Sequence, residues 1–181
     1  FVVGLGDLVF HGSSRRDWEG FDALTAPLRA AGVPLLPVLG NHEYWARRAP
    51  ALRNVVARFP RLAVSRWYAE TYGPLRLLFL DSNERALGAA AWREEAGWLD
   101  AELARADAEE AVKGVVLFGH HPPYTNSTVT GTSFTCSGRS YPRSPRRERR
   151  SPWSPGTSTA TSISFAAARR SSSRAAAEAR A

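Results

Sequence analysis

The amino-acid sequence predicts an α/β protein built from layered helices and sheets, and two observations carry that prediction. Short apolar runs occur without polar alternation and are separated by segments of helical periodicity, the pattern of strands buried by helices. Three of those runs end in glycine beside Asp, Asn or His. Ligands in open α/β sheets sit beyond the carboxyl ends of strands, so these polar residues fall where a site belongs.

The elements follow in order. Phe1 to Leu5 reads as a buried strand, running through Gly6-Asp7 into a polar loop. Trp18 to Ala31 carries Trp18, Phe21, Leu24 and Leu28 at helical spacing and is broken by Gly32-Val33-Pro34. Pro27 is expected to kink or shorten that helix. Leu35 to Leu39 is a second strand, followed at once by Gly40-Asn41-His42-Glu43. A weaker helix covers Tyr44 to Phe59, with an interruption expected near Pro50. Leu75 to Leu80 is the third strand and ends in Asp81-Ser82-Asn83, read as a structural turn. Ala89 to Glu110 is rich in helix formers, with Trp92, Leu99 and Leu103 on one side. Val115 to Phe118 is the fourth strand, ending in Gly119-His120-His121-Pro122-Pro123.

The 181 residues suit one domain of 1–130 followed by a tail of 131–181. The net charge of +7 is unevenly spread: the tail holds ten Arg and two Glu, whereas 1–130 holds fourteen basic and fifteen acidic residues. Any argument for nucleic-acid binding therefore rests on the tail alone. One cysteine, Cys136, excludes a disulfide framework. No apolar run approaches the ~18 residues of a membrane span. The chain has no methionine and no charged-then-apolar leader, so a targeting segment, if one existed, is expected to lie outside it.

Three groups carry chemistry: Gly6-Asp7, Gly40-Asn41-His42-Glu43 and Gly119-His120-His121-Pro122. They offer a carboxylate, an amide oxygen and imidazoles, donors that suit Mn, Fe or Zn. Glycine before each donor permits a tight turn. Singly, each has a plainer explanation: Asp7 as a cap, Asn41-His42 as a turn with a surface histidine, His120 as a strand-end histidine bonded to a carbonyl. Their order and spacing together are much harder to obtain by accident.

These motifs, continued by Pro123-Tyr124, resemble the calcineurin-like metallophosphoesterase family across residues 1–130, with GNHE the most diagnostic piece. The run Tyr124-Thr125-Asn126-Ser127 resembles its purple acid phosphatase-related branch. The resemblance implies a partial αββα two-sheet sandwich, a dinuclear metal site and hydrolysis of phosphomonoesters or phosphodiesters. It implies that Asp7 bridges two divalent or trivalent metal ions and that Asn41 and His120 bind the second. His42 then faces the substrate phosphate as a leaving-group acid or clamp, and Glu43 orients His42 through a hydrogen bond. His121 shapes the turn or touches substrate or metal. His11 reaches the site mouth or is a surface residue. Tyr124 and Asn126 line the pocket, although Asn126-Ser127-Thr128 is also a glycosylation acceptor pattern. Phe10 stands where purple acid phosphatases carry an iron-binding tyrosine, and a phenyl ring cannot ligate. The tryptophans of 1–130 are read as core or pocket wall, not as a stacking platform. Export is the localisation that the resemblance suggests.

Two family motifs are missing: Asp-x-His (or Asp-x-Gly), expected before Phe1, and Gly-His-x-His, expected after His120. All four histidines stand at 11, 42, 120 and 121. Ser, Arg, Ala, Thr, Pro and Gly supply 43 of the last 51 residues, too little apolar surface to offset chain entropy, so the tail is expected to be disordered. Such a composition is also what GC-rich coding DNA gives out of frame. Pro155 to Ser164 can be written CCG GGC ACG TCC ACG GCT ACG AGC ATT TCG. Shifted by two bases, this reads Gly-His-Val-His-Gly-Tyr-Glu-His-Phe, which contains the absent motif. A frameshift near Gly131 is therefore expected. The two missing motifs imply weak or no dinuclear metal binding and negligible activity, and a sandwich lacking strands at both ends is expected to expose apolar edges and aggregate. The alternative is a genuine basic tail whose Arg143 to Arg150 stretch contacts nucleic acid or anionic surfaces non-specifically.

Overall fold

Parallel pairing of β1 (Val2–Leu5) with β2 (Leu35–Val38) requires a crossover, and α1 (Arg15–Ala30) supplies it. The computed structural model describes residues 1–122. Ser14 caps α1: its Oγ accepts from the Asp17 amide at 3.2 Å and donates to Asp17 Oδ1 at 2.6 Å, so the helix starts three residues ahead of Trp18. Pro27 does not shorten α1, because it lies in the last turn and removes a single backbone donor. The left-handed Gly32, at φ +65°, ends the segment.

The helix expected from Tyr44 to Phe59 is divided differently. His42–Tyr44 forms a 3-10 turn, and α2 (Arg48–Arg58) begins only after it. Pro50 does not interrupt α2, because it sits in the first turn, where a missing N–H leaves no bond unmade. Pro60–Ala63 forms a second 3-10 turn. The sequence reading missed β3 (Tyr68–Tyr72), which is joined through Gly73-Pro74 to β4 (Leu75–Phe79) as an antiparallel hairpin. The short α3 (Glu84–Leu87) and the long α4 (Ala89–Ala108) then lead to β5 (Gly114–Phe118), parallel to β4.

The second sheet has the order β3-β4-β5, and the β1-β2 sheet faces it. Alternation along β4 decides the layers. Leu77 and Phe79 pack with Val38, Val3, Leu5 and Leu36 between the sheets, whereas Leu78 packs with Leu99 and Ala106 of α4. On the far side of β2, Trp18, Phe21, Leu39, Tyr44 and Val55 join α1 and α2 to the sheet. The result is the expected αββα order. Tyr68 bridges the sheets, donating from its hydroxyl to the Pro37 carbonyl at 2.8 Å. Trp18 and Trp67 are core residues as expected, but Trp45 is 40% exposed. Among the described residues, no helix is long and apolar enough to cross a membrane.

α1 and α2 are clamped by Arg58, which donates to Asp22 through Nε at 2.8 Å and Nη2 at 2.6 Å. Those bonds hold the Asp22 carboxyl below its usual 3.8. Asp22 therefore contributes stability above that value, lost as pH falls through its lower folded value. Arg58→Ala is expected to move the acid-unfolding midpoint to higher pH, followed by circular dichroism. An unchanged midpoint would show that the pair carries no pH-linked stability.

Candidate metal centre

Three loops meet at the carboxyl ends of β1, β2 and β5, and glycines let them touch. Gly6 (φ +86°) and Asp7 (φ +51°) are successive left-handed residues, a conformation that Asp tolerates better than most side chains. A Cβ on Gly6 would lie 2.6 Å from both the Gly40 nitrogen and His120 Nδ1. A Cβ on Gly40 would lie 2.1 Å from Asp7 Oδ1 and 2.5 Å from the Asp7 nitrogen. Both positions are closed to any side chain.

His120 shows how the donors are aimed. Its Nδ1 is 2.9 Å from the Leu5 carbonyl, which only accepts, so Nδ1 carries a proton. Its Nε2 lies 3.2 Å from Asn41 Oδ1 and 3.4 Å from Asp7 Oδ1. A doubly protonated ring would donate to both oxygens. A neutral ring instead sets the Nε2 lone pair against two oxygen acceptors, an arrangement that a cation relieves. Carboxylate, amide oxygen and imidazole fit a Mn, Fe or Zn ion. Among the described residues, no group of three His, Cys, Asp or Glu side chains is arranged to hold a metal ion. The converging set is one carboxylate, one imidazole and one amide.

His42 approaches from the other side of Asp7. Its backbone N–H donates to Asp7 Oδ1 at 3.2 Å. Its Nδ1 donates to the Phe10 carbonyl at 2.8 Å, which leaves Nε2 3.8 Å from Asp7 Oδ2. The expected hydrogen bond from Glu43 to His42 is not what that carboxylate makes. Glu43 is fully buried and turned inward, away from the histidine. Its Oε2 accepts from the amides of Asp7 (2.8 Å) and Gly40 (2.7 Å), and its Oε1 from those of Leu8 (2.7 Å) and Val9 (3.3 Å). Neighbouring residues of a tight 3-10 turn project in different directions, so His42 and Glu43 part ways. Burial pushes the Glu43 carboxyl above its usual value, against the pull of the amides.

Asp81-Ser82-Asn83 does more than turn the chain. Tyr44 donates its hydroxyl to Asp81 Oδ2, and Asn83 Nδ2 donates to the Leu39 carbonyl at 2.9 Å and to Asp81 Oδ1 at 2.7 Å. Ser82 Oγ accepts from the His121 amide at 2.9 Å and meets His121 Nδ1 at 2.9 Å. The segment thus braces the β2 and β5 loops together. Burial raises the Asp81 carboxyl. Burial first, then the neighbouring His120, lowers His121.

The structure brings Asp7, Asn41, His42 and His120 together. His121 is turned to Ser82. Tyr124 and Asn126 lie outside the described residues, as do the tail and Cys136. His11 has a half-exposed side chain and stands beside Phe10 and Trp45, with ring centroids 4.6 and 6.3 Å away. The bracing by Tyr44 and Asn83 was not read from the sequence, because residues about forty positions apart carry no local signal of it.

The sequence model of the calcineurin-like phosphoesterase family matches residues 1–150. Neither a curated protein nor a solved structure matches the chain significantly. The chain belongs to the calcineurin-like phosphoesterase family, whose members hydrolyse phosphate esters with the help of metal ions, generally two.

Proposed function

We propose that the domain hydrolyses phosphomonoesters or phosphodiesters at a two-metal centre, for which this chain supplies Asp7, Asn41, His42 and His120. The observation that carries this reading is the approach of two oxygens to one imidazole nitrogen: Asn41 Oδ1 lies 3.2 Å and Asp7 Oδ1 3.4 Å from His120 Nε2. On this reading Asp7 would be shared by the two ions, and Asn41 and His120 would hold the second. When bound, the ions acidify a water and neutralise charge on the phosphoryl oxygens. His42 serves at the phosphate, its ring fixed by the Phe10 carbonyl so that Nε2 is free to clamp an oxygen or carry a proton to the leaving group. Glu43 positions Asp7 through the backbone. Phe10 offers no donor, which disfavours an iron–tyrosinate centre and leaves Mn, Fe or Zn.

Asp7→Asn tests the reading without disturbing the turn, since asparagine also accepts a left-handed backbone. Its affinity for Mn or Zn, measured by calorimetry, is expected to fall at least tenfold while the melting temperature holds. Equal affinity in the two proteins would remove Asp7 from the centre.

We further place the chain near the purple acid phosphatase-related branch, on Tyr124 to Ser127, and read the tail of 131–181 as out-of-frame translation. On that reading the Gly-His-x-His donors are lost and hydrolysis by this polypeptide is impaired. Sequencing the coding DNA from the His120 codon to the stop tests it: an extra or missing base near Gly131 restores the motif. A confirmed frame leaves a phosphoesterase fragment with a basic tail, whose salt-dependent DNA binding is then the property to measure.

A further inference from the structure

The mouth of the centre carries aromatic rings for which phosphate chemistry has no use. Phe10 is 63% and Trp45 40% exposed, an unfavourable place for large apolar groups. They are not scattered: their centroids are 5.8 Å apart and their planes cross at 83°. His11 stands edge-on to Phe10. Among the described residues, a second exposed aromatic pair, Phe1 with Tyr72, lies at the amino end of β1, the opposite end from Asp7.

This cluster is continuous with the candidate centre. The His42 ring stacks on Trp45 at 3.6 Å and stands edge-on to Phe10 at 5.1 Å. The same ring places Nε2 3.8 Å from Asp7 Oδ2, so one imidazole separates the aromatic surface from the proposed bridging carboxylate. The backbone holds Trp45 outward. Its amide donates to the His42 carbonyl at 3.1 Å, and Ala46 after it is left-handed at φ +66°. Strain of that kind in a non-glycine residue is concentrated at functional sites.

Resting on the phosphoesterase reading, we propose that Phe10, Trp45 and His11 form a subsite for a flat aromatic group on the alcohol side of the phosphate ester. Stacking on Trp45 and edge contact with Phe10 then select aromatic over alkyl phosphates.

The test uses the full chain with its aromatic side chains isotopically labelled. It is titrated with 1-naphthyl phosphate, methyl phosphate and 1-naphthol, with and without Zn, and followed by the NMR signals of Trp45, Phe10 and His42. 1-Naphthyl phosphate is expected to shift all three and to half-saturate at a concentration at least tenfold below methyl phosphate and below 1-naphthol. In Trp45→Leu and Phe10→Ala, which remove ring faces from exposed positions, that preference over methyl phosphate is expected to collapse towards one. Equal binding of the two phosphates, or a preference that survives both substitutions, overturns the subsite and leaves the phosphate reading standing. 1-Naphthol binding as well as its phosphate, or no binding of any probe, overturns the phosphate reading and the subsite with it.

Discussion

Gly40→Ala is expected to unseat Asp7 and to cost roughly 3 kcal/mol of folding stability, at the upper end of overpacking penalties. The added Cβ would meet the Asp7 carboxylate oxygen at 2.1 Å and the Asp7 backbone nitrogen at 2.5 Å. A flexible side chain could yield, but that nitrogen cannot, because it is bonded to Glu43 Oε2 at 2.8 Å. The β1 and β2 loops must therefore separate, and the donors they carry separate with them. Urea unfolding should show a lower midpoint with an unchanged slope, and metal affinity should fall in parallel. Gly20→Ala is the control. Gly20 lies inside α1 with nothing within 4 Å of the added Cβ, so the same substitution there should stabilise by about 0.5–1 kcal/mol. If both variants moved stability in one direction, the close approach at Gly40 would not be what makes glycine necessary.

Glu43→Ala is the second large effect, expected to cost on the order of 4 kcal/mol. Four backbone amides lose their acceptor, and each buried donor left unpaired costs about 1–3 kcal/mol, in part recovered if water enters. Glu43→Gln separates shape from acceptor count. Its amide oxygen can still serve one pair of N–H groups, but its NH2 faces the other pair, donor against donor. A penalty of roughly half the alanine value is expected. In both variants metal affinity should fall although neither touches a donor side chain, because Asp7 and Gly40 are held by the same carboxylate oxygen. Undiminished metal binding by a folded Glu43→Ala would contradict that positioning role.

The parts of this protein that were legible in advance are those with local signals. The apolar run Leu75 to Leu80 announced a strand buried on both faces, and Leu77, Leu78 and Phe79 are all buried. β3 was overlooked although Tyr-Ala-Glu-Thr-Tyr before Gly73-Pro74 has the alternation and turn residues of a hairpin, because its mixed polarity suppresses the apolar signal. Pro27 and Pro50 misled for one reason. A proline matters by which donor it removes: Pro50, in a first turn, removes one that has no partner in the helix, and Pro27, in a last turn, removes a single one.

At the centre, donor chemistry and neighbouring glycines singled out three polar groups in the chain, and the family resemblance named Asp7, Asn41, His42 and His120 within them. Their convergence is a property of the sheets: β1 and β2 run parallel, β5 lies in the facing sheet, and all three end on one side. What Glu43 does could not be read from its place beside His42, because a buried carboxylate bonds to whatever amides the packing brings to it. The sequence by itself determined which chemistry this chain can offer and the layered fold that carries it, through composition and periodicity. Only the tertiary structure decided which atoms meet, that Glu43 holds the backbone, and that Phe10 and Trp45 stand at the mouth. Contacts between residues tens of positions apart are set by strand order and loop approach, which leave no trace in local sequence.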